Sequence, residues 1–189
     1  MTVDTFGGLD ILVNNAGTID MKMLHEHTDE EWDYLMTLNV KSMFWSFKHA
    51  FPHLIRHEKS YVVNVGSISS YVGQDMTPIY TTSKGAVLNL SRSIGLDYAR
   101  YGIRCNCICP GITDTPLLRY HMSQTGEFTD NLKSRLSRVP LARELTIEDI
   151  ARAALYFSCE DSSGITATSL IIDGGYIATA EWDNRAHVV

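Results

Sequence analysis

The sequence predicts an α/β fold in three layers, with a parallel sheet covered by helices on both faces. Strand and helix signals alternate along the 189 residues without a repeat, a low-complexity tract or a linker. The run from Leu9 to Val13 is continuously apolar, as in a parallel strand that is buried on both faces. Such an alternation builds βαβ units and therefore a parallel sheet.

Composition and charge fit one globular domain. Hydrophobic residues make up 44% of the chain and charged residues 20%, which is enough to bury a core. The net charge of −6 argues mildly against binding to nucleic acid or another polyanion. No apolar run approaches the roughly 20 residues that span a bilayer. The residues around Asp4 lack the basic segment of a secretory signal. We therefore expect a soluble, cytoplasmic protein with no nucleic-acid or membrane partner.

The first half of the chain predicts a long helix between two strands. After the apolar run at 9–13, a capping box at 28–31 opens a helix. The apolar stripe of this helix continues to about His53. Residues 61–65 form the second strand, which ends just before Ser67.

The second half of the chain continues the alternation. A helix begins near Pro78, because proline is favoured at the first helical position, and it stops before Gly102. The remaining elements are a strand at 103–109, an irregular segment at 112–143, a capped helix at 146–158 and a strand at 169–172.

Tyr80 and Lys84 are the first candidates for chemistry. Residues four apart share one face of a helix, so the ammonium lies near the phenol. A nearby positive charge favours the phenolate, and we expect the pKa of Tyr80 to fall below its usual value of about 10. A phenol tuned in this way acts as a general acid or base near neutral pH. Ser67, thirteen residues earlier, offers a hydroxyl to hold a substrate oxygen. Taken alone, the pair is also compatible with an ordinary surface contact.

Three further segments give this pair a context. The first apolar run breaks into Asn14-Asn15-Ala16-Gly17, and Leu38-Asn39-Val40 lies between that turn and Ser67. Cys109-Pro110-Gly111-Ile112-Thr113-Asp114-Thr115-Pro116 follows the tyrosine helix. In this order and at these distances, the chain resembles the short-chain dehydrogenase/reductase family, a set of NAD(P)-dependent oxidoreductases on a Rossmann-type fold. The likeness extends to about residues 173–175.

The resemblance implies a role for each matching residue. Tyr80 is the acid/base that interconverts a secondary alcohol and a ketone, and Ser67 orients the substrate. Lys84 lowers the pKa of Tyr80 and binds the nicotinamide ribose, while Asn39 holds a water that relays protons to Lys84. The residues implied in binding NAD or NADP are Asn15, Ala16, Gly17, Tyr80, Lys84, Pro110, Gly111, Ile112, Thr113 and Thr115.

One family feature has no counterpart in the sequence. Members begin with a strand, a glycine-rich turn and a helix that together hold the cofactor pyrophosphate. No G-x-x-x-G-x-G run occurs here, and Gly7 and Gly8 have no strand before them. We therefore expect residues 1–189 to form a single, N-terminally truncated Rossmann-type domain that lacks two βαβ units, on the order of 60–80 residues. In such a fragment the strand at 9–13 becomes an exposed sheet edge.

Two other functions compete with the dehydrogenase. A truncated chain can be catalytically silent and act only as an interaction partner, and a weaker possibility is a nucleotide-sensing scaffold. The intact set of four polar residues argues against the scaffold. NAD and NADP both remain open, because the residue that separates them follows the second strand of the complete fold.

The cysteines and histidines do not predict a metal. Cys105, Cys107 and Cys109 alternate along a strand and therefore point to one face. Zinc ligands are usually two to four residues apart in a turn, so we interpret these thiols as buried apolar groups. His25 and His27 are near-paired, but they lie on a predicted loop. We expect no metal site and no disulfide.

The residues predicted to contact the substrate lie in the C-terminal part of the chain. In the family, the region at 117–140 is a mobile lid, and Tyr120 and Met122 are candidates for lining the pocket of a neutral, partly hydrophobic substrate. Ordinary packing explains both residues equally well. His121 is not a convincing catalytic group. Trp182 and the tail at 180–189 either contact a neighbouring subunit in a homodimer or homotetramer, or fray.

Overall fold

The computed structural model describes residues 1–123 and 128–180. Within them, four parallel strands form one sheet in the order β1-β2-β3-β4. The strands are β1 (Ile11–Asn14), β2 (Ser60–Val65), β3 (Ile103–Pro110) and β4 (Ser169–Ile172). The helices are α1 (Thr2–Phe6), α2 (Asp29–Met36), α3 (Ser42–Leu54), α4 (Pro78–Asp97), α5 (Pro116–Ser123), α6 (Phe128–Leu136) and α7 (Ile147–Phe157). The predicted α/β fold is confirmed.

Helices cover both faces of the sheet. On one face, Phe47 and Leu54 of α3 and Ile94 of α4 pack against Val62 and Cys105. Next to this cluster lies a second group made of Met43, Val87, Leu88, Cys107 and Cys109. On the other face, α7 packs against Val63 and Ile108 through Ala153 and Phe157. Neighbouring residues of β2 thus serve opposite layers, as the period of a strand requires.

The strand β1 departs from the burial predicted for it. It lies at the edge of the sheet, where Ile11 and Val13 are 43% and 46% exposed. Leu12 points the other way and packs against the α3–α4 cluster. The sequence predicted burial on both faces from the apolar run, but one face of β1 has no covering helix among the described residues. The predicted exposed edge at this strand is observed.

The helix predicted from the capping box at Thr28 begins and ends nearly as expected. The Thr28 hydroxyl accepts a hydrogen bond from the Glu31 amide at 3.2 Å, and the Glu31 carboxylate accepts one from the Thr28 amide at 3.0 Å. The helical path continues through α3 to Leu54. Between α2 and α3, however, residues Thr37–Lys41 form a single π-helical turn. Such turns widen the helix by one residue and are frequent at functional sites.

The helix α4 begins at Pro78 and is followed by a tight turn at Gly102. Gly102 adopts a φ of +73°, and a Cβ built on it would lie 2.1 Å from the carbonyl oxygen of Glu58. Only glycine fits this position, because both the conformation and the space exclude a side chain. The turn directs the chain into β3, as predicted.

The segment at 112–143, predicted to be irregular, is largely helical. Two short helices, α5 and α6, occupy it, separated by residues outside the described part of the chain. The hydroxyl of Thr115 accepts a hydrogen bond from the Leu118 amide at 3.1 Å, and Pro116 occupies the first position of α5. This start signal was present in the sequence, but helices of eight and nine residues give only a weak apolar period. Among the described residues, no helix has the length and apolar character needed to cross a membrane.

Replacing two glycines of α4 with alanine is expected to change the stability of the protein in opposite directions. A Cβ on Gly95 would lie 2.7 Å from the backbone nitrogen of Ala167, whereas a Cβ on Gly85 would contact nothing within 4 Å. We expect Gly85→Ala to raise the free energy of unfolding by about 1 kcal/mol through helix propensity. We expect Gly95→Ala to lower it by about 1–3 kcal/mol through overpacking. Urea denaturation of both variants tests this. Equal stabilisation would show that α4 does not approach Ala167 this closely.

Candidate active site

The candidate residues converge at one edge of the sheet because the strands are parallel. The carboxyl ends of parallel strands lie side by side, and ligands of α/β proteins bind there. Asn15 follows β1, Ser67 follows β2 and Gly111 follows β3. The helix α4 brings Tyr80 and Lys84 to the same edge, and the Ser70 hydroxyl donates a hydrogen bond to the Lys84 carbonyl at 2.7 Å.

Lys84 is a buried ammonium held by one backbone carbonyl. The residue is 5% exposed, and its Nζ donates a hydrogen bond to the Val65 carbonyl at 2.9 Å. Among the described residues, no other group accepts a hydrogen bond from this Nζ. Burial lowers the pKa of Lys84 to about 8, because the charged form loses its hydration. An ammonium with unused donors at a strand end is well suited to hold hydroxyl groups of a ligand.

The sequence predicted that Lys84 lowers the pKa of Tyr80, and the structure shows that this prediction is wrong. Burial raises the pKa of Tyr80 above its usual value, although the hydrogen bond with Ser67 opposes this rise. The Lys84 Nζ lies 5.6 Å from the centre of the Tyr80 ring, above its face. The i,i+4 spacing correctly predicted proximity. It could not predict the burial of the phenol, whose loss of hydration is the largest cause of the raised pKa.

Ser67 is held with its hydroxyl facing the site. It caps the short 3₁₀ turn Ile68–Ser70, and its Oγ accepts a hydrogen bond from the Ser69 amide at 3.1 Å. The Ser70 hydroxyl in turn accepts a hydrogen bond from the Ser67 amide at 3.3 Å. Since the capping bond uses only a lone pair of Ser67, the hydroxyl hydrogen is free to be donated toward Tyr80 or a substrate.

Asn39 lies in the π-helical turn and is fully buried. Its Oδ1 accepts a hydrogen bond from the Thr18 amide at 2.8 Å, and its Nδ2 donates to the Thr18 carbonyl at 2.8 Å. The same Nδ2 donates to the Ser83 hydroxyl at 2.9 Å. The Ser83 hydroxyl donates onward to the Tyr80 carbonyl at 2.7 Å. One amide therefore ties the turn after β1 to the helix of Tyr80 and Lys84.

Ser83 belongs to this network, and the sequence analysis missed it. The only available signal was its position between two candidate residues on α4, which is not informative without the tertiary contact. Gly17 is also explained by the network. A Cβ at Gly17 would lie 3.2 Å from the Asn39 Oδ1 and 3.5 Å from the Lys84 Nζ. Glycine thus lets the turn after β1 approach both side chains.

The remaining candidates for the cofactor lie at the same edge. Asn15 and Ala16 are exposed directly after β1. Pro110 ends β3, and a Cβ on Gly111 would lie 2.8 Å from the Cβ of Asp173, so a larger residue would push β3 and β4 apart. The other members of this loop are partly exposed, namely Ile112, Thr113 and Thr115. The Ile112 carbonyl accepts a hydrogen bond from the Leu145 amide at 2.9 Å, and the Thr115 hydroxyl caps α5.

The predicted lid residues have different environments. Met122 is 2% exposed, and Tyr120 is 60% exposed and makes an edge contact with His121, with ring centres 5.2 Å apart. Burial lowers the pKa of His121, which favours a neutral imidazole. Just before this region, the Asp114 carboxylate accepts two hydrogen bonds from Arg119, at 2.8 and 2.7 Å. Trp182 lies outside the described residues.

The three alternating cysteines are packing groups behind the site. Cys105, Cys107 and Cys109 are fully buried on one face of β3, and all are free thiols. Burial raises the pKa of Cys105, and the hydrogen bond with Cys107 together with burial raises that of Cys109. A Cβ on Gly66 would lie 2.9 Å from the Cys107 sulfur. The thiols thus support the backbone that leads into Ser67.

Known proteins share both the sequence and the architecture. A family model described as enoyl-(acyl carrier protein) reductase matches residues 1–177. The chain is 36% identical over 180 residues to 2-(R)-hydroxypropyl-CoM dehydrogenase from Xanthobacter autotrophicus, covering 94% of this chain and 70% of that protein. It is 35% identical to dehydrogenase/reductase SDR family member 6 from Xenopus laevis, covering 89% of this chain and 69% of that protein.

Two solved dehydrogenases have closely similar structures. The ligand-free aldohexose dehydrogenase from Thermoplasma acidophilum superposes with a TM-score of 0.90 at 30% identity, covering 95% of this chain and 72% of that one. A gluconate 5-dehydrogenase from Burkholderia cenocepacia J2315, solved with NADP and tartrate, gives a TM-score of 0.86 at 28% identity, covering 95% and 69%.

The buried ammonium predicts a pH dependence of stability. The pKa of Lys84 is about 8 in the folded protein and about 10.5 when unfolded. Its stabilising contribution is therefore complete above pH 10.5 and is lost as the pH falls through 8. We expect Lys84→Met to be more stable than wild type at pH 7, by a margin that shrinks by about 3 kcal/mol toward pH 10.5.

Chemical denaturation between pH 7 and pH 10.5 measures this margin. Lys48→Met, an exposed lysine of α3, serves as the reference for loss of a surface charge. A constant margin between wild type and Lys84→Met would refute a depressed Lys84 pKa.

Proposed function

This chain belongs to the short-chain dehydrogenase/reductase family of oxidoreductases, and we propose that it interconverts a secondary alcohol and a ketone with NAD or NADP. The observation that carries the proposal is the convergence of Ser67, Tyr80 and Lys84 at the carboxyl edge of the sheet, with Asn39 tying that edge to α4. As part of the same proposal, residues 1–189 form a single Rossmann-type domain that assembles into a homo-oligomer.

The donors at this edge fit the nicotinamide ribose of a dinucleotide. Lys84 has a buried, charged Nζ with only the Val65 carbonyl as a partner among the described residues. Two donors of that ammonium are available for two neighbouring ribose hydroxyls. The glycine at position 17 leaves the approach to this Nζ open. When bound there, the nicotinamide supplies or accepts the hydride, and all other steps belong to side chains of the chain.

Tyr80 moves the proton. In the reducing direction the neutral phenol donates its proton to the carbonyl oxygen of the substrate, and in the oxidising direction the phenolate accepts the alcohol proton. A phenol is protonated at neutral pH, and burial reinforces this state by raising the pKa of Tyr80, which suits donation. Because Lys84 binds the ribose in the complex, its ammonium is fixed beside the phenolate that remains after donation, and it stabilises that charge.

Ser67 positions the reacting oxygen. Its hydroxyl hydrogen, which is directed at Tyr80 in the absence of substrate, is donated to the substrate oxygen, while the Ser69 amide holds its Oγ in place. In place of the water relay implied by the resemblance, we assign Asn39 a positioning role at a distance from the substrate, because its side-chain amide fixes the turn at Gly17 and Thr18 against α4. The substrate is expected to be a small hydroxyl compound. The relatives named for aldohexose and gluconate make aldohexoses and sugar acids the first to screen, beside neutral cyclic alcohols.

Binding is tested with NADH, NADPH and reduced nicotinamide mononucleotide, each at millimolar concentration. A ligand that binds only the folded state raises the melting temperature by mass action. We expect at least one of the dinucleotides and the mononucleotide to do so, and Lys84→Met to abolish the shift. Lys48→Met is the matched control and should retain it. A shift that persists in Lys84→Met would contradict the ribose assignment. No shift with any of the three would favour an interaction partner without catalysis.

Catalysis is tested with Tyr80→Phe. We expect turnover to fall by at least about 10²–10⁴-fold, because general acid/base catalysis is lost. The cofactor-induced rise in melting temperature should remain, because the ring is preserved. Tyr34→Phe, at an exposed position of α2, is the control for removing a phenol hydroxyl. Activity of Tyr80→Phe within threefold of wild type would remove Tyr80 from this role.

A further inference from the structure

A second group of ionisable side chains lies outside the candidate active site, in the connection between β1 and α2 and in the first turn of α2. Asp20, His27 and Glu31 each present one potential ligand atom, and these atoms lie within 4.8 Å of one another. The His27 Nδ1 is 3.6 Å from the Asp20 Oδ2 and 3.6 Å from the Glu31 Oε2. Both separations are too long for a hydrogen bond.

The imidazole of His27 is buried without a partner. Its side chain is 3% exposed, although the backbone of the residue lies near the surface. Neither Nδ1 nor Nε2 has a hydrogen-bond partner among residues 1–123 and 128–180. Buried polar groups in folded proteins are almost always satisfied, because leaving one unpaired costs free energy. The gap between Nδ1 and the two carboxylates therefore calls for a ligand.

We propose that Asp20, His27 and Glu31 bind one divalent first-row transition-metal ion, with Zn²⁺ as the reference. Zinc binds imidazole nitrogen and carboxylate oxygen at about 2.0–2.2 Å. Two ligand atoms at such distances around a tetrahedral ion lie about 3.4 Å apart. The two separations of 3.6 Å from Nδ1 match this spacing closely. Three protein ligands leave a fourth position for water.

The local charge favours a divalent cation. Three carboxylates, those of Glu31, Asp20 and Glu26, lie around the single ammonium of Lys22, which pairs with Glu31. These four side chains carry a net charge of −2, which one divalent ion balances. Lys22 does not block the site, because it pairs with the Oε1 of Glu31, whereas His27 faces Oε2. The Oε2 atom also accepts a hydrogen bond from the Thr28 amide at 3.0 Å, which orients the carboxylate.

The ion would stabilise a loop that borders the candidate active site. The Lys22 amide donates a hydrogen bond to the Met76 carbonyl at 2.9 Å, which joins this loop to the segment before α4. At the other end, Asn39 holds Thr18. A metal at Asp20, His27 and Glu31 fixes the chain between these two anchors to the start of α2. The role is structural and does not depend on the proposed oxidoreductase chemistry.

The test measures metal binding directly. Protein freed of metal with a chelator is titrated with Zn²⁺ by calorimetry, and Co²⁺ is added separately to record its visible spectrum. We expect one site, a higher melting temperature with Zn²⁺, and binding at least about 100-fold weaker in His27→Gln. His25→Gln is the matched control, because this neighbouring histidine is exposed and is not part of the cluster. It should bind like wild type.

A second variant keeps the test decisive if His27→Gln folds poorly. Asp20→Asn retains the Oδ1 atom that accepts the Met21 amide at 2.8 Å, but it replaces the ligand Oδ2 with a donor. Weak Zn²⁺ binding by Asp20→Asn supports the site. Unchanged binding in both variants would overturn it and place the ion elsewhere, for example at the partly exposed Cys159. Failure of wild type to bind would also overturn it.

Discussion

The burial of the Lys84 ammonium is the constraint around which the candidate site is arranged. A charged group at 5% exposure is tolerated only where a neighbour compensates for lost water, and here the Val65 carbonyl at the end of β2 does so. This bond requires α4 to lie across the carboxyl end of β2. The turn after β1 approaches the same ammonium closely, which Gly17 permits. The incomplete compensation lowers the pKa of Lys84 and leaves donors for a ligand.

The buried amide of Asn39 is the second fixed point. It lies in a π-helical turn, and three hydrogen bonds satisfy its polar atoms. A fully satisfied polar network in a low-dielectric interior is rigid and specifies one arrangement. The network reaches Tyr80 through Ser83. The position of the phenol therefore depends on residues from the turn after β1, from the π-turn and from α4 together.

The two polar clusters on this side of the molecule differ in their state of satisfaction. In the Asn39 cluster every hydrogen-bonding atom of the amide has a protein partner. In the His27 cluster neither ring nitrogen has one among the described residues, although two carboxylates face Nδ1. The same physical rule leads to opposite conclusions. The Asn39 cluster needs no ligand to satisfy its polar atoms, whereas the His27 cluster has the form of a binding site.

The sequence by itself determined the parallel α/β fold, since apolar runs, the capping box at Thr28 and the proline at 78 are local signals that the structure follows. It also identified Ser67, Tyr80 and Lys84 as candidate site residues, because helical spacing and strand ends can be recognised in the sequence. Only the tertiary structure decided how strongly each group is buried. Burial reverses the expected shift in the Tyr80 pKa, and it leaves His27 unpaired. Both effects arise from neighbours distant in sequence, and no local pattern encodes the loss of water that those neighbours cause.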